Sequence, residues 1–158
     1  MRSMVRNPDT WFRTIDRIYP SLLRTPKLLI PDIKAEGACV FDSGTCYPHH
    51  NLYYIISPYW NLRALRTILR SSLARFFVWS YGVHMRSNFL RFQAQYLRRI
   101  PIPAPMGVSE QVVQELVALD GEQDRDLIDR AVIQLYSLKK CHLELMREAI
   151  DPRSDELA

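Results

Sequence analysis

The hydrophobic residues in the first half of the chain follow two different spacings. Short runs rich in branched and aromatic residues predict three β-strands, namely KLLIPDI (27–33), ACVFD (38–42) and LYYIIS (52–57). Pro31 indicates that the first of them is an edge strand or contains a bulge. From Asn61 to Gly82, leucines and phenylalanines recur every three or four residues, which predicts one long amphipathic helix.

The second half begins with a basic segment and ends in a helical pattern. VHMRSNFLRF (83–92) predicts a loop with a short strand, and QAQYLRR (93–99) predicts one or two helical turns ended by Pro101. After Ser109, apolar residues at helical spacing predict helices up to Ile150, with a break near Gly121. The pattern predicts an α+β fold, with a mixed β-sheet domain and its long helix over residues 1–105 and a helical segment over 106–158.

Charge is distributed unevenly between these two parts. Residues 1–105 carry 15 Arg or Lys against 5 Asp or Glu, whereas residues 106–158 carry 6 against 12. Of the 21 basic residues, 17 are arginine, whose planar guanidinium suits phosphate and guanine edges. A nucleic-acid face is one interpretation of this bias, and the base composition of the gene is the other. The two blocks indicate a basic binding module followed by an acidic docking or scaffold segment.

Several classes of chemistry lack the residues that they need. The five glycines lie far apart, so no glycine-rich loop for a nucleotide or dinucleotide is predicted. Cys46, His49 and His50 do not supply the four paired ligands of a structural zinc site, and no catalytic residue is predicted. The three widely spaced cysteines suit a reducing compartment. With no apolar run of membrane-spanning length and no signal-peptide pattern, a cytoplasmic location without a membrane partner is expected.

Binding chemistry is concentrated in polar residues that alternate with aromatic ones. Asparagine and glutamine can contact adenine edges, arginine can contact guanine, and basic or hydroxyl side chains can contact phosphates. Three arginines of the predicted long helix lie on one flank, which is a phosphate-contact pattern or simply a solvated face. The candidate DNA-contacting residues are Lys27, Lys34, His49, His50, Asn51, Arg63, Arg66, Arg70, Arg86, Ser87, Asn88, Arg91, Gln93 and Arg98.

The order of these segments resembles a known family. PKLLIPDI, CYPHHNLYYI, LRALRTILRSSLARFF and RFQAQYLRRIPIP follow one another as in the TaqI-like C-terminal specificity domain of adenine-specific DNA methyltransferases, found in type II and fused type IIG restriction–modification enzymes. The resemblance extends from about Trp11 to about Leu138. Specificity subunits of type I systems are similar in their recognition domain, proline-rich exit and helix.

The resemblance implies a module that selects the DNA sequence for adenine-N6 methylation. A separate catalytic domain or subunit would bind S-adenosylmethionine and methylate the flipped adenine, so no cofactor is expected in this chain. Double-stranded DNA and that catalytic domain are the implied partners. Two alternatives remain at this stage: a type I-like specificity subunit or protein–protein scaffold without base contacts, and an autonomous enzyme such as a nuclease, against which the missing motifs argue.

Overall fold

Two antiparallel β-sheets and six α-helices form most of the part of the chain that the structure describes. The structure is a computed structural model, and it describes residues 18–34, 39–49, 51–82, 90–91 and 93–150, with the backbone alone at 33–34 and 90–91. The strands are β1 (Lys27–Pro31), β2 (Ile33–Lys34), β3 (Val40–Asp42), β4 (Leu52–Ile55) and β5 (Leu90–Arg91). The helices are α1 (Leu62–Arg70), α2 (Ser72–Tyr81), α3 (Ala94–Leu97), α4 (Glu110–Ala118), α5 (Arg125–Leu135) and α6 (Lys140–Ile150). The α+β class is confirmed.

The main sheet has the strand order β3–β1–β4, and both of its strand pairs are antiparallel. The prediction that Pro31 marks an edge strand is therefore wrong, because β1 is the central strand. Pro31 is the last residue of β1, where it pairs with Leu52 of β4, and the described β1–β3 pairing ends before it, at Leu29. The second sheet, formed by β2 and β5, is also antiparallel. The described strand pairs therefore include no parallel pair, which a mixed sheet would need.

The predicted long helix is two helices, α1 and α2, separated at Ser71. The backbone of Ser71 is extended, with φ −70° and ψ 160°. Its hydroxyl donates to the carbonyl of Ile68 at 2.7 Å and accepts from the amide of Ala74 at 3.2 Å, so one side chain ends α1 and caps α2. The next amide, that of Ser72, donates to buried Asp129 of α5 at 2.7 Å. Serine hydroxyls and a distant carboxylate thus replace the helical hydrogen bonds that the break removes.

Helices α1 and α2 form the middle layer of the molecule. One side of the layer packs against the sheet through Leu28 and Ile30, and the other side packs against the three C-terminal helices through Leu116, Val132 and Met146. The buried residues of all three layers belong to a single hydrophobic cluster. Asn61 and Ser109 are the N-caps of α1 and α4, since both side chains accept a hydrogen bond from the first turn of their helix. The described residues before and after position 105 therefore share one core across the boundary that the sequence pattern placed there.

None of the helices in the described part of the chain combines the length and the apolar character needed to cross a membrane.

Candidate nucleic-acid interface

The loop that joins β3 to β4, residues 43–51, is held by the carboxylate of Asp42 at the end of β3. Oδ1 of Asp42 accepts from the amide of Thr45 at 3.0 Å and from its hydroxyl at 2.8 Å. Oδ2 accepts from the amide of Cys46 at 3.4 Å. These bonds form a turn in which the carboxylate takes the place of a backbone acceptor, as aspartate commonly does. The first half of the loop is therefore fixed from within the sheet.

Lys27 is the counter-ion of Asp42 and lies inside the protein. Its side chain is 0% exposed, and its ammonium group bonds Oδ2 of Asp42 and the carbonyls of Leu22, at 2.8 Å, and Thr25, at 3.2 Å. The hydrogen bond from Lys27 holds the pKa of Asp42 well below its usual range. Lys27, which the sequence suggested as a DNA contact, thus directs its ammonium group into the protein, where all three protons have internal acceptors.

The second half of the loop is held at the sheet but exposes its side chains. The amide of Leu52 donates to the carbonyl of His49 at 2.9 Å, and the amide of Asp32 donates to the carbonyl of Asn51 at 3.2 Å. The side chains of His49 and Asn51 are exposed. The backbone of the loop is thus fixed at both ends, while an imidazole and an amide are presented to the outside.

After α3 the chain alternates isoleucine with proline from Ile100 to Pro103, a segment called here the proline ladder. Ile100 is buried and Ile102 packs against the core, whereas Pro101 between them is exposed, as expected for an extended chain with one face inward. The indole nitrogen of Trp60 donates to the carbonyl of Pro103 at 3.0 Å. The ladder therefore lies fixed along the domain and does not form a free linker.

A cleft of about 560 Å³ lies between β4 and α3. Leu52, which follows Asn51 directly, lines one side, and Ala94 and Arg98 line the other. Gln93 immediately precedes α3, and Arg98 is exposed at its end. The fold thus brings the end of the β3–β4 loop and the two ends of α3 to one cleft, although 42 positions separate Asn51 from Gln93.

The three arginines of α1 bind the acidic part of the same chain. Nη1 of Arg63 and Nε of Arg66 form ion pairs with the carboxylate of Asp120, at 2.6 Å and 3.0 Å. Nη2 of Arg70 donates to the carbonyl of Glu122 at 2.5 Å. The guanidinium of Arg63 also lies over the ring of Phe41, 4.6 Å from its centroid. The row of arginines predicted to contact phosphate thus joins α1 to the connection between α4 and α5.

The remaining candidates lie at or beyond the limits of the described residues. Lys34 and Arg91 lie on the paired strands β2 and β5, one residue out of register, and their side chains are outside the described part. His50, Arg86, Ser87 and Asn88 lie outside the described residues. Among the residues that are described, no three His, Cys, Asp or Glu side chains are grouped so that they could hold a metal ion.

Sequence reasoning missed Asp42 and Gly44, which shape the β3–β4 loop. Gly44 has a φ of +102°, and a Cβ atom there would lie 2.8 Å from the carbonyl carbon and oxygen of Arg24. The run Asp42-Ser-Gly-Thr45 carries a local signal for such a turn, since aspartate at the start and glycine within are favoured in turns. The pairing of Asp42 with Lys27 has no local signal, because it depends on the β1–β3 register.

A small antiparallel sheet backed by helices, with an internally held loop and a cleft at its edge, defines a compact α+β binding module. The chain belongs to the family described as the TaqI-like C-terminal specificity domain, which it matches over residues 5–102. This confirms the family resemblance of the segments between the first strand and the proline ladder.

Three curated relatives are similar to nearly the whole chain. The chain is 46% identical to the type II methyltransferase M.BstVI of Geobacillus stearothermophilus over 92% of its length. It is 49% identical to the type II methyltransferase M.XhoI of Xanthomonas vasicola over 89%, and 53% identical to the type II methyltransferase M.PaeR7I of Pseudomonas aeruginosa over 83%. The chain spans only 26%, 26% and 23% of these relatives, about a quarter of their length.

Proposed function

We propose that this chain is the part of a site-specific DNA methyltransferase that selects the DNA sequence in a type II restriction–modification system. The observation that carries the proposal is the membership in a specificity-domain family over residues 5–102. Identities of 46% to 53% to type II methyltransferases support it. The proposed reaction served by this choice of site is methylation of adenine at N6, in the compartment that holds the DNA.

Catalysis and S-adenosylmethionine binding belong, in this proposal, to a region of a longer enzyme that this chain does not span. The residues that line the cleft between β4 and α3 include no carboxylate of the kind that binds ribose hydroxyls. Its lining is mainly apolar, with Arg98 as the charged member. Double-stranded DNA and that catalytic region are the proposed partners.

Sequence selection is assigned to the surface around the β3–β4 loop and α3. The amides of Asn51 and Gln93 suit an adenine edge, His49 suits a base edge or a phosphate, and Arg98 suits guanine or a phosphate. The residues outside the described part, above all Asn88, and the side chain of Arg91 extend this proposed surface. Each well-placed bidentate contact would contribute about 1–3 kcal/mol of discrimination.

The helices α4–α6 are proposed to dock the recognition part onto the rest of the enzyme. They pack on α1 and α2, and their outer side exposes Leu127 and Leu145, 40% and 64% exposed. Exposed leucines on a helical layer suit a protein partner better than DNA. In this proposal the acidic helices α4–α6 dock onto the rest of the enzyme, and the β3–β4 loop with α3 selects the bases.

The test restores the catalytic region and maps the methylated sites. Asn51→Ala, Asn88→Ala and Arg91→Ala should each relax the choice of site while leaving S-adenosylmethionine binding intact. Gln134→Ala is the matched control, because it removes an exposed amide from α5, on the helical layer. Binding should also weaken steeply with salt, since each phosphate contact adds about 0.9 to the logarithmic slope. Unchanged methylation sites in all three variants would refute the assignment.

A further inference from the structure

We propose that Lys27 and Asp42 are positioning residues that hold the β3–β4 loop in the shape needed for base contact by His49 and Asn51. This inference rests on the proposed function. The two residues form a buried ion pair and would not contact DNA themselves. They would act by holding the loop that carries the base-contacting side chains. The observation that suggests it is the number of loop groups that converge on one carboxylate.

The carboxylate of Asp42 binds both the loop and the segment before β1. It accepts three hydrogen bonds from Thr45 and Cys46 in addition to the bond from Lys27. Asp42 is 6% exposed and Lys27 is 0% exposed, so neither charge is available to solvent. The ammonium group of Lys27 extends the network to the carbonyls of Leu22 and Thr25. One ion pair therefore fixes the turn before β1 and the loop after β3.

Other contacts place the same loop against the same segment. Gly44 lies so close to the backbone of Arg24 that a Cβ atom would lie within 2.8 Å of it. The hydroxyl of Tyr47 accepts from the amide of Tyr19 at 3.1 Å. The loop is thus packed on backbone and leaves little room for another conformation, although Thr45, Cys46, Tyr47 and His49 are themselves exposed.

Stability alone does not account for a buried pair of this kind. Replacing such a pair with apolar residues of similar volume is often neutral or stabilising, because the desolvation of both charges is avoided. An apolar pair at these positions could fill the same space, but it could not accept the hydrogen bonds of Thr45 and Cys46. The function that the charges supply, and that an apolar pair would lack, is the fixed shape of the loop.

The decisive variant is Lys27→Met combined with Asp42→Leu, built into the complete methyltransferase. It removes both charges together, so no unpaired buried charge is left, and the thermal midpoint should change little. The amides of Thr45 and Cys46 should exchange with solvent about tenfold faster or more, because their acceptor is gone. Discrimination between the cognate site and sites altered by one base pair should fall by about 5-fold to 140-fold, the range of one lost base contact. KM for cognate DNA should rise while kcat at saturating DNA is retained.

Two further variants separate loop positioning from general damage. Lys140→Gln with Glu144→Gln removes an exposed lysine–glutamate pair of α6, on the helical layer, and should leave the loop amides and the site preference unchanged. Thr45→Val removes only the hydroxyl bond to Asp42 and keeps the ion pair. Thr45→Val should also reduce the discrimination between the cognate site and altered sites. If the double variant does not fold, Thr45→Val alone tests the positioning role.

The outcomes distinguish the two proposals. Faster loop exchange with an unchanged preference in the double variant, or an unchanged preference in Thr45→Val when only that variant folds, overturns the positioning role and leaves the proposed function intact. A parent enzyme that shows no preference among DNA sequences overturns the proposed function and the positioning role with it. Loss of discrimination in the loop variants, with the helical-layer control unaffected, supports both.

Discussion

Truncation of one leucine in α4 tests whether the recognition part and the C-terminal helices fold as one unit. Leu116 is 0% exposed, and its carbonyl accepts the buried hydroxyl of Thr67 of α1 at 2.8 Å. Leu116→Ala removes three carbons, which costs about 2.4 kcal/mol at about 0.8 kcal/mol each. The cavity left behind raises the loss to about 3–4 kcal/mol. For a chain of this size, the melting temperature should fall by about 6–16 °C.

Hydrogen exchange shows where this loss is felt. Because one hydrophobic cluster joins the sheet to α4–α6, the protected amides of β1 and of α5 should exchange faster by the same factor, about 140-fold to 700-fold for that loss of free energy. Leu145→Ala is the matched control, since Leu145 is 64% exposed and its truncation should cost less than about 0.5 kcal/mol. Acceleration in α4–α6 with β1 unchanged would refute the single unit and make residue 105 a folding boundary.

Three further outcomes follow from single groups. Burial raises the pKa of Cys39 to about 12, whereas Cys46 and Cys141 are exposed. An aromatic disulfide reagent should therefore modify Cys46 and Cys141 rapidly and Cys39 only on unfolding. Equal rates for all three thiols would contradict this. Burial also raises the pKa of Tyr136 to about 12. The protonated phenol of Tyr136 should therefore stabilise the fold fully below the unfolded pKa of about 10, and this stabilisation should be lost as the pH rises toward 12. The urea midpoints of Tyr136→Phe should decline less at alkaline pH than those of the parent. Asp120→Asn should lower the free energy of unfolding by about 1–3 kcal/mol, because Arg63 and Arg66 lose their counter-ion. Glu115→Gln on exposed α4 should change it by less than about 0.5 kcal/mol in the same denaturant titration.

Elements whose signals are local could be predicted from the sequence. The cores of all three main strands, the caps at Asn61 and Ser109, and the stop after α3 depend on residues within one or two turns of each other. The break at Ser71 was missed although two adjacent serines carried a local signal, because the apolar spacing continues through it. Its stabilising partner, Asp129, lies 57 positions away from Ser72, at a distance that no local pattern reveals.

The candidate site was predicted less well than the fold for the same physical reason. A lysine beside a strand, or arginines on the flank of a helix, show the same local sequence pattern whether they contact solvent, phosphate or a carboxylate of the same chain. The choice is made by tertiary partners, here Asp42 for Lys27 and Asp120 for Arg63 and Arg66. The exposure of loop residues such as His49 and Asn51 was easier to predict, because a turn between two strands is at the surface in most folds.

These internal partners change what the uneven charge of the chain means. Among the cations that the structure describes before residue 105, Lys27 and the three arginines of α1 bind groups of the same chain. Part of the segregation therefore holds the molecule together, and the carboxylates of Asp42 and Asp120 offset part of the positive charge that would face DNA. Under the proposed function, site choice then depends more on a few well-placed polar groups than on a broad basic surface. The shape of the β3–β4 loop, and with it the buried pair behind that loop, becomes correspondingly more important for specificity than for the free energy of non-specific binding.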